Sequence, residues 1–495
     1  MRLRELKELL LTAKLVGDGE TEFHGIEKDS RRVSPGQLFI CITGYTVDGH
    51  AYADEAVKQG AAAVVCERRL DVPVPQLIVK DSRLAMAMIA DYVYAYPSRS
   101  IGLIGVTGTN GKTTTTYLIE QIFNGNNMPT GVIGTIERRF EGNSEAMSGT
   151  TPEADALQRY LADMRDAGAQ YCAMEVSSHA LEQGRVKGCR FRTAIFTNLS
   201  QDHLDYHGTM EKYADAKGLF FSRLGNGYSL NATERSYAVL NGDDPASARF
   251  RLLTSAEVIT YGLGMEADVR AVDVDVRATG TSFRIICFAG EVDVSMRLTG
   301  KFNVYNALAA ATAALIEGVE LEGIKAALEA IPGVPGRVES IETERGFSVI
   351  VDYAHTPDGL GNVLEAVKEI ARKRVICVFG CGGDRDRGKR PLMAKIAAKH
   401  ADVIVITTDN PRSEDPLAII ADVEAGLREA NVAREQYSLV PDRKQAIEKA
   451  VEMASPGDVV LIAGKGHETY QLIGGVTYPF DDRLVAKEAI RRLVH

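Results

Sequence analysis

The chain has 495 residues, of which 45% are hydrophobic and 25% charged, so it is expected to be a globular protein of two to four domains. No uninterrupted apolar run approaches the roughly 18 residues of a membrane span, and the net charge of −10 argues against a general nucleic-acid binder. The charged N-terminus shows no secretory signal and the seven cysteines are scattered, so we expect a cytoplasmic protein with reduced cysteines.

Residues 1–98 are predicted to form a small α/β N-terminal domain. Short apolar runs at 38–42, 62–66 and 77–79 are separated by helical patterns. Tyr96-Pro97-Ser98 is typical of a linker and would end this domain.

Residues 99–332 are predicted to form a central domain that begins with a phosphate-binding loop. Apolar residues at 101–106 indicate a strand, and a helical pattern follows the glycine-rich turn Gly108-Thr109-Asn110-Gly111-Lys112-Thr113-Thr114. In such a turn the backbone N–H groups and the helix N-terminus bind phosphate oxygens, Lys112 supplies a cation, and Thr113 supplies a hydroxyl for Mg²⁺. Val106 occupies the position of the first glycine in the ordinary phosphate-loop pattern. The stretch predicts binding of ATP or GTP.

The remainder of the central domain is predicted to be a doubly wound sheet of the phosphate-loop ATPase type. Apolar runs at 131–134, 171–174, 194–197, 238–240 and 258–261 alternate with helical stretches, which favours mostly parallel strands. Strict alternation at 272–277 and 292–298, with a turn at Ala289-Gly290, indicates an antiparallel flap with one exposed face. An alanine-rich helix at about 304–316 would return the chain to the sheet.

Residues 333–495 follow the Pro/Gly-rich stretch 331–336 and are predicted to form a Rossmann-like C-terminal domain. Near-continuous apolar strands at 348–351, 375–379, 403–407 and 459–462 indicate a parallel sheet that is buried on both faces. Its Gly380-Cys381-Gly382-Gly383-Asp384-Arg385 lacks the third glycine of the dinucleotide fingerprint, so NAD binding is disfavoured.

Polar residues follow several predicted central strands, where open α/β sheets place their sites. Glu175 comes directly after an apolar strand and, with Thr113 and His203, could hold one octahedral cation such as Mg²⁺. Alternatively, the carboxylate and the histidine cap helices or bind loop backbone. For Glu175 or His203 alone, the sequence supports the cation site and the structural role equally. Because both are expected at one sheet edge together with Lys112, the cation site is favoured.

Six motifs occur in one order along the chain: the phosphate loop 107–113, Glu175-Val176-Ser177-Ser178-His179, Asp202-His203, Gly300-Lys301-Phe302-Asn303-Val304-Tyr305-Asn306, Pro335-Gly336-Arg337-Val338-Glu339, and Asp352-Tyr353-Ala354-His355-Thr356-Pro357. This series resembles the ATP-dependent Mur ligases of peptidoglycan synthesis over essentially the whole chain. The spacing of the phosphate loop is also that family's. Within the family the resemblance is strongest to the enzymes that add the third residue of the stem peptide.

The resemblance implies a phosphoryl transfer followed by an acyl transfer. ATP would phosphorylate the side-chain carboxylate of UDP-N-acetylmuramoyl-L-alanyl-D-glutamate, and the amine of meso-diaminopimelate would attack the acyl phosphate. Lys112 and Mg²⁺ would stabilise the phosphoryl group, and the nucleotide site would be completed by Asn303, Arg337, Asp352 and His355. Lys217 matches the position of a carbamylated lysine that binds a second Mg²⁺, although from sequence alone an exposed helix lysine would be preferred.

The resemblance also implies the two other substrate sites. The uridine diphosphate would contact Ser30, Tyr45, Thr46 and Val47, and the muramoyl peptide would contact Thr150, Thr151, Ser177, Gln183 and Arg185. The amino-acid site would comprise Arg385, Asp409, Asn410, Pro411, Arg412, Gly464 and Glu468. Asp-Asn-Pro-Arg marks enzymes of the family that select diaminopimelate over L-lysine. Diaminopimelate carries an extra carboxylate that Arg412 can bind in a fork, while Glu468 can bind the ammonium.

Three functions are left open by these patterns. The first is addition of diaminopimelate, and the second is a related ligation with another acceptor, such as L-lysine or, less favoured, a folate. The third is a nucleotide-driven switch or motor that binds a partner. Charged strand ends in the second and third domains disfavour the third alternative. We expect a monomer.

Overall fold

The computed structural model describes residues 1–44, 47–147, 149–225, 227–277, 279–341 and 343–493. Three large sheets follow one another along the chain, with five, eleven and six strands, and a two-stranded sheet lies near the C-terminus. Helices cover the sheets, so the predicted mixed α/β class with three successive sheet units is confirmed. Within the described ranges no helix is both long enough and apolar enough to cross a membrane.

The first sheet has the strand order β1-β5-β4-β3-β2, and only β1 runs antiparallel to its neighbour. The three strands predicted for this domain are present as β3, β4 and β5, and their apolar side chains are almost entirely buried. The elements are β1 Lys14–Val16, β2 Ile26–Glu27, β3 Leu38–Ile40, β4 Ala63–Cys66 and β5 Gln76–Ile78, with helices α1 Leu3–Leu9, α2 Ala53–Lys58 and α3 Ser82–Val93.

The central sheet has the order β16-β15-β14-β13-β12-β11-β6-β10-β7-β8-β9, in which the strands from β7 to β14 are parallel. Its strands are β6 Gly102–Thr107, β7 Thr130–Ile133, β8 Glu137–Phe140, β9 Asn143–Ala146, β10 Tyr171–Glu175, β11 Phe191–Phe196, β12 Tyr237–Asn241, β13 Glu257–Gly262, β14 Val269–Arg277, β15 Gly280–Cys287 and β16 Gly290–Met296. Its helices are α4 Lys112–Gly125, α5 Ala154–Asp166, α6 Ser178–Glu182, α7 Leu204–His207, α8 Met210–Ser222, α9 Ala246–Leu253, α10 Lys301–Ile316 and α11 Leu321–Ala330.

The predicted flap is antiparallel, but it contains three strands instead of two and continues the central sheet through the β13–β14 pair. Alternate residues are buried in β16 and buried or half-buried in β14, and these inward side chains pack with α10 and α11 in one core. The alanine-rich α10 is buried on nearly all sides. Its small side chains allow a close approach to α4, and α10 therefore begins beside the phosphate loop.

The third sheet has the order β17-β18-β22-β19-β20-β21, and all strands except β17 are parallel. Its near-continuous apolar strands are buried on both faces, as predicted. The elements are β17 Glu339–Ile341, β18 Ser348–Asp352, β19 Val375–Phe379, β20 Val403–Ile406, β21 Tyr437–Leu439, β22 Val459–Ala463, the hairpin of β23 Tyr470–Ile473 and β24 Val476–Pro479, and helices α12 Pro357–Ile370, α13 Lys389–His400, α14 Pro416–Glu429, α15 Arg443–Met453 and α16 Asp482–Arg492.

Candidate functional site

The phosphate loop joins β6 to α4, as the sequence predicts. Gly108 has a φ of +151°, and a Cβ atom there would collide with the Thr197 hydroxyl. Gly111 has a φ of +86° and lies against the Asn306 amide. Both positions therefore require glycine, which leaves the loop backbone accessible. Lys112 Nζ donates to the carbonyls of Gly108 at 2.9 Å and Thr109 at 2.8 Å, so its charge lies within the loop.

A cleft of about 450 Å³ opens in front of this loop. It is bounded by the ends of the central strands, the first turn of α10 and the end of β18. The predicted nucleotide residues that line it are Thr109, Asn110, Gly111, Lys112, Thr113, Thr114, Arg337, Asp352 and His355. Asn303 instead lies behind the wall, where its Oδ1 accepts from Asn306 Nδ2 at 3.1 Å. Of the same motif, Lys301, Phe302, Tyr305 and Asn306 do line the cleft.

Glu175 is buried at the base of the cleft, with 1% of its surface exposed, and has several hydrogen-bond partners. Its carboxylate accepts from Thr113 Oγ1 at 2.9 Å, from Thr135 N at 2.8 Å and from Thr135 Oγ1 at 2.9 Å. Sequence reasoning missed Thr135. Its signal was available, because Thr135 is a polar residue just after the buried strand β7.

The Thr113–Glu175 pair fits a Mg²⁺ ion. A hydroxyl and a carboxylate in contact are oxygen donors of the kind that Mg²⁺ uses together with phosphate oxygens and water. His203 lines the same cleft, but its Nε2 faces Asp202 at 3.3 Å. Over the described ranges, no group of three or more His, Cys, Asp and Glu residues has the arrangement of a metal site. A cation here would therefore depend on nucleotide and water for most of its ligands.

Lys217 is buried, with 1% of its surface exposed, so the alternative of an exposed helix lysine is wrong. Its Nζ donates to the Gly108 carbonyl at 2.8 Å and lies 4.4 Å from the centre of the Tyr213 ring. Burial and, secondly, the charge of Lys112 hold the pKa of Lys217 well below its usual range. This environment therefore favours the neutral amine more than water does.

The C-terminal sheet contributes three predicted groups to the cleft. Arg337 Nη2 donates to Thr113 Oγ1 at 2.9 Å, and its guanidinium lies 4.5 Å from the centre of the Tyr353 ring. Asp352 accepts from the backbone N–H groups of Val338 and Ala354, and burial raises its pKa. Burial lowers the pKa of His355 to about 4, so its imidazole is neutral near pH 7.

Asp202 joins the two sheets. Its carboxylate lies 3.3 Å from His203 Nε2, 3.9 Å from His355 Nε2 and 3.6 Å from Lys389 Nζ. Although burial opposes ionisation, Lys389 and then the two histidines hold the pKa of Asp202 well below its usual range. Lys389 carries no predicted role, and only the folded arrangement reveals it.

The residues predicted for the muramoyl peptide form one cluster beside Glu175. The hydroxyls of Thr150 and Thr135 lie within hydrogen-bond distance at 3.0 Å, and Thr151 Oγ1 donates to the Glu175 carbonyl at 2.9 Å. Arg185 donates to Gln183 Oε1 and to the Thr151 carbonyl. Ser177 completes the set, because its N–H donates to Thr151 Oγ1.

The residues predicted for the uridine diphosphate belong to the first sheet unit. The Ser30 hydroxyl donates to Glu55 at 2.8 Å, and Val47 is half exposed. Tyr45 and Thr46 lie outside the described residues.

The predicted amino-acid site is a charged cluster after β20 and β22. Arg412 has a φ of +54°, and its Nη1 donates to the Gly383 carbonyl at 2.6 Å. Burial and, secondly, the charge of Arg385 lower the pKa of Arg412. The side chains of Arg412 and Arg385 both border Gly382. Asp409 lies against Gly464, with the carbonyl of Pro411 packed on Gly383.

Lys465, missed by sequence reasoning, organises the acidic part of this cluster. Its buried Nζ donates to Asn410 Oδ1 at 3.1 Å and to Glu468 Oε2 at 2.7 Å. Asn410 Nδ2 donates to the same Glu468 oxygen at 2.8 Å. Burial, and then the charge of Asp409, raises the pKa of Glu468.

The amino-acid cluster adjoins the nucleotide cleft. Tyr353 lines the cleft, and its ring centre is 5.1 Å from that of His467, the residue before Glu468. The charge of Arg385 also contributes to lowering the pKa of His179, which is in ring contact with His203 of the cleft. The predicted binding residues for ATP, muramoyl peptide and amino acid thus surround one region.

Comparisons with known proteins agree with this arrangement. Three family models match in chain order: the Mur ligase family catalytic domain at 22–94, the Mur ligase middle domain at 106–314, and the Mur ligase glutamate ligase domain at 336–466. The chain is 50% identical over 491 residues, covering 99% of both chains, to UDP-N-acetylmuramoyl-L-alanyl-D-glutamate--2,6-diaminopimelate ligase of Halalkalibacterium halodurans. It is 51% identical to the enzyme of that name from Geobacillus kaustophilus, covering 98% of this chain and 99% of the relative.

Solved structures show the same architecture. A structure of UDP-N-acetylmuramoyl-L-alanyl-D-glutamate--2,6-diaminopimelate ligase matches with a TM-score of 0.69 and 35% identity, covering 100% of this chain and 99% of the other. MurF from Acinetobacter baumannii matches with a TM-score of 0.70 at 20% identity over 99% and 98% of the two chains, which shows a shared fold. On this evidence the chain belongs to the Mur ligase family.

Proposed function

We propose that the protein is an ATP-dependent ligase that joins meso-2,6-diaminopimelate to the D-glutamate side-chain carboxylate of UDP-N-acetylmuramoyl-L-alanyl-D-glutamate. The observation that carries this proposal is the cluster of Arg385, Arg412, Asp409 and Glu468, in which the two arginines border Gly382 and Glu468 is held by Lys465, next to a phosphate-loop cleft. Two guanidinium groups and two carboxylates complement an amino acid that has both a carboxylate and an ammonium at its far end. The products would be UDP-N-acetylmuramoyl tripeptide, ADP and phosphate.

The first step would transfer the γ-phosphoryl group of ATP to a carboxylate oxygen of the D-glutamyl residue. The bond between the β–γ bridging oxygen and the γ-phosphorus breaks, a phosphorus–oxygen bond to the carboxylate forms, and ADP leaves. Reactants and transition state are anionic, so the protein acts mainly by alignment and charge neutralisation. Lys112 and Arg337 would supply positive charge, and Thr113 and Glu175 would hold a Mg²⁺ ion that neutralises phosphate oxygens.

The second step would be attack of the diaminopimelate amine on the acyl carbon. A carbon–nitrogen bond forms, the tetrahedral intermediate collapses, the carbon–oxygen bond to phosphate breaks, and the amine proton passes to solvent or a neighbouring base. Arg385 would hold the carboxylate next to this amine, while Arg412 and Glu468 would hold the far end. The surrounding cluster would limit hydrolysis of the acyl phosphate by excluding water.

Lys217 would carry a carbamate. A neutral amine can attack CO₂ with loss of a proton, and the buried Lys217 Nζ has a lowered pKa and a position beside Gly108. The product is an anion that could bind a second Mg²⁺. ¹³C-NMR in ¹³C-bicarbonate should show a carbamate resonance that is lost in Lys217→Arg.

We place the domain boundaries at 1–98, 99–332 and 333–495 and propose a cytoplasmic monomer. The proposed substrates are water-soluble nucleotides and an amino acid, and one chain supplies all the charged groups described above. Light scattering coupled to gel filtration should give the mass of a single chain.

The test of function is to incubate the protein with ATP, Mg²⁺, the UDP-muramoyl dipeptide, and either meso-diaminopimelate or L-lysine. Mass spectrometry should detect the diaminopimelate tripeptide, with far less or no lysine product, because lysine leaves Arg412 without its carboxylate. Lys112→Ala is the inactive control. A predominant lysine product would show that the acceptor is L-lysine and not diaminopimelate. ATP hydrolysis at a rate that no amino acid alters would overturn the ligase proposal.

A further inference from the structure

A single buried carboxylate of the central sheet unit holds two groups of the C-terminal sheet unit. Asp202 is 4% exposed, and within 4 Å of its carboxylate lie His355 Nε2, which follows β18, and Lys389 Nζ, which begins α13. Its own neighbour His203 completes the group, both through its ring and through its backbone N–H at 2.9 Å. His203 and His355 line the nucleotide cleft. Asp202 itself lines the same cleft and therefore fixes two of its neighbours in the cleft wall.

Lys389 connects this carboxylate to the amino-acid site. It is 5% exposed and is the first residue of α13, four residues after Arg385, which lies on the segment between β19 and α13. The same segment makes a second contact with the central unit, because Gln201 Nε2 donates to Asp386 Oδ2 at 3.1 Å. Two consecutive residues of the central unit, Gln201 and Asp202, thus contact the part of the chain that carries Arg385.

We propose that Lys389 is a positioning residue of the ligation reaction, which acts through Asp202 to fix the cleft-wall histidines and the Arg385 segment in one arrangement. The proposal rests on the proposed function, since it assigns Arg385 to the amino acid and the cleft to ATP. Lys389 would contact neither substrate. Its role is to align the acyl-phosphate site with the incoming amine.

The physical basis is the cost of an unpaired buried charge. Asp202 and Lys389 side chains are each 6% exposed, so neither is well solvated where it lies. Removing one partner of a buried pair leaves the other charge uncompensated, and the structure around it then rearranges or admits water. Here the rearrangement would displace His203 and His355 from the cleft wall, while the muramoyl-peptide cluster, built on Thr151 and Arg185, would stay intact.

The experiment measures steady-state kinetics of the full-length enzyme with all three substrates for Lys389→Met. We expect kcat to fall at least about tenfold, with the KM for the UDP-muramoyl dipeptide within about twofold of wild type. Lys389→Arg retains the charge and should keep more of kcat than Lys389→Met. The matched control is Lys395→Met, since Lys395 lies on the same helix, is 43% exposed and pairs with Glu429. It should behave as wild type.

Asp202→Asn and the double variant separate positioning from folding. If the two side chains act as one unit, the double variant should lose no more kcat than the worse single variant, and its melting temperature should exceed that of Lys389→Met. Lys389→Met with wild-type kcat, or losses of kcat that multiply in the double variant, would overturn the proposal. Both outcomes require an active wild-type ligase, so they are distinct from a failure of the proposed function.

Discussion

Arg412 is the side chain on which acceptor choice would depend. Charge-assisted bonds from a guanidinium to a carboxylate contribute about 1.5–3 kcal/mol, which corresponds to roughly 10- to 100-fold in affinity. We therefore expect Arg412→Gln to raise the KM for diaminopimelate at least about tenfold, with the KM for ATP nearly unchanged.

The control for this prediction is Arg428→Gln, because Arg428 is an exposed arginine of the same unit and pairs with Glu424 on its own helix. It should leave both KM values unchanged. Equal increases of both KM values in Arg412→Gln would show that Arg412 maintains the structure and does not select the acceptor.

Partly buried histidines should make stability dependent on pH. Burial lowers the pKa of His179 and His355 to about 4 and that of His203 to about 3, whereas unfolded histidine titrates near 6.5. Below pH 6.5 the unfolded chain therefore binds more protons than the folded chain. The contribution of these histidines to the free energy of unfolding is complete above that pH and is lost as the pH falls towards 4. Asp91 acts in the opposite direction, because burial raises its pKa to about 6.

The histidines whose pKa is lowered also include His207, His400 and His467, and they outnumber the carboxyl groups with a raised pKa, which are Asp91, Asp244, Asp352 and Glu468. Urea denaturation should therefore give a lower free energy of unfolding at pH 5 than at pH 7.5. His179→Asn removes one titrating group and should reduce the difference. His24→Asn alters an exposed histidine and serves as the control. A free energy of unfolding that stays constant or increases as the pH falls from 7.5 to 5 would contradict the assignment of partly buried, neutral histidines.

Single residues differ in how far the sequence predicts their place. Lys112, Thr113 and Glu175 are adjacent to buried strands, so local pattern alone brings them to one sheet edge, and the structure joins them there. Lys389 is a lysine at the start of a polar helix. It contacts Asp202, which lies 187 positions earlier in the sequence and belongs to a different sheet unit. Such a contact depends on how the two units dock against each other, and the spacing of apolar residues along the chain does not predict that docking.

The hairpin of β23 and β24 is the element that holds the Asp-Asn-Pro-Arg turn. Gln471 Nε2 donates to the Asp409 carbonyl at 2.8 Å, and Leu472 N donates to Asn410 Oδ1 at 3.0 Å. Arg412 N donates to the Leu472 carbonyl, and the Arg412 carbonyl accepts from Gly474 N. These bonds support the left-handed backbone at Arg412, which is unusual for a residue other than glycine.

Gln471→Leu should therefore weaken acceptor binding. The variant keeps the side-chain size but leaves the Asp409 carbonyl without its donor, and a lost hydrogen bond of about 1 kcal/mol or more predicts a roughly 5- to 10-fold higher KM for diaminopimelate. The KM for ATP should not change. Thr477→Val, on the exposed strand β24, is the control. A KM for diaminopimelate within twofold of wild type would show that the hairpin does not position the turn.

Elements were predicted where burial leaves a strong pattern. The strands β6, β10, β19 and β22 are buried on both faces, and their unbroken apolar runs identify them. The hairpin of β8 and β9 was missed because its strands, of sequence Glu-Arg-Arg-Phe and Asn-Ser-Glu-Ala, contain few apolar residues, and β9 at the sheet edge is fully exposed. The short edge strands β17 and β21 were missed for the same reason. Edge position removes the apolar signal while backbone pairing still forms the strand.

Across the whole molecule, the first sheet unit is fixed to the central unit through α5. Lys28 Nζ donates to both carboxylate oxygens of Asp155, at 2.7 and 2.5 Å, and Arg83 pairs with Glu153 at 3.1 Å. Glu153 also pairs with Arg185, which belongs to the muramoyl-peptide cluster. The proposed nucleotide-sugar site thus spans two units whose relative position depends on these ion pairs.

Asp155→Asn should raise the KM for the UDP-muramoyl dipeptide by about three- to tenfold, since the partly buried Lys28 loses its charged partner and the first unit is held less firmly. The KM values for ATP and diaminopimelate should stay within twofold, because their proposed residues lie on the other two units. Asp163→Asn is the matched control, as Asp163 lies on the same helix but is 55% exposed and pairs with Arg138. Equal rises in all three KM values would show a general loss of structure, and an unchanged KM for the dipeptide would show that docking of the first unit does not limit its binding.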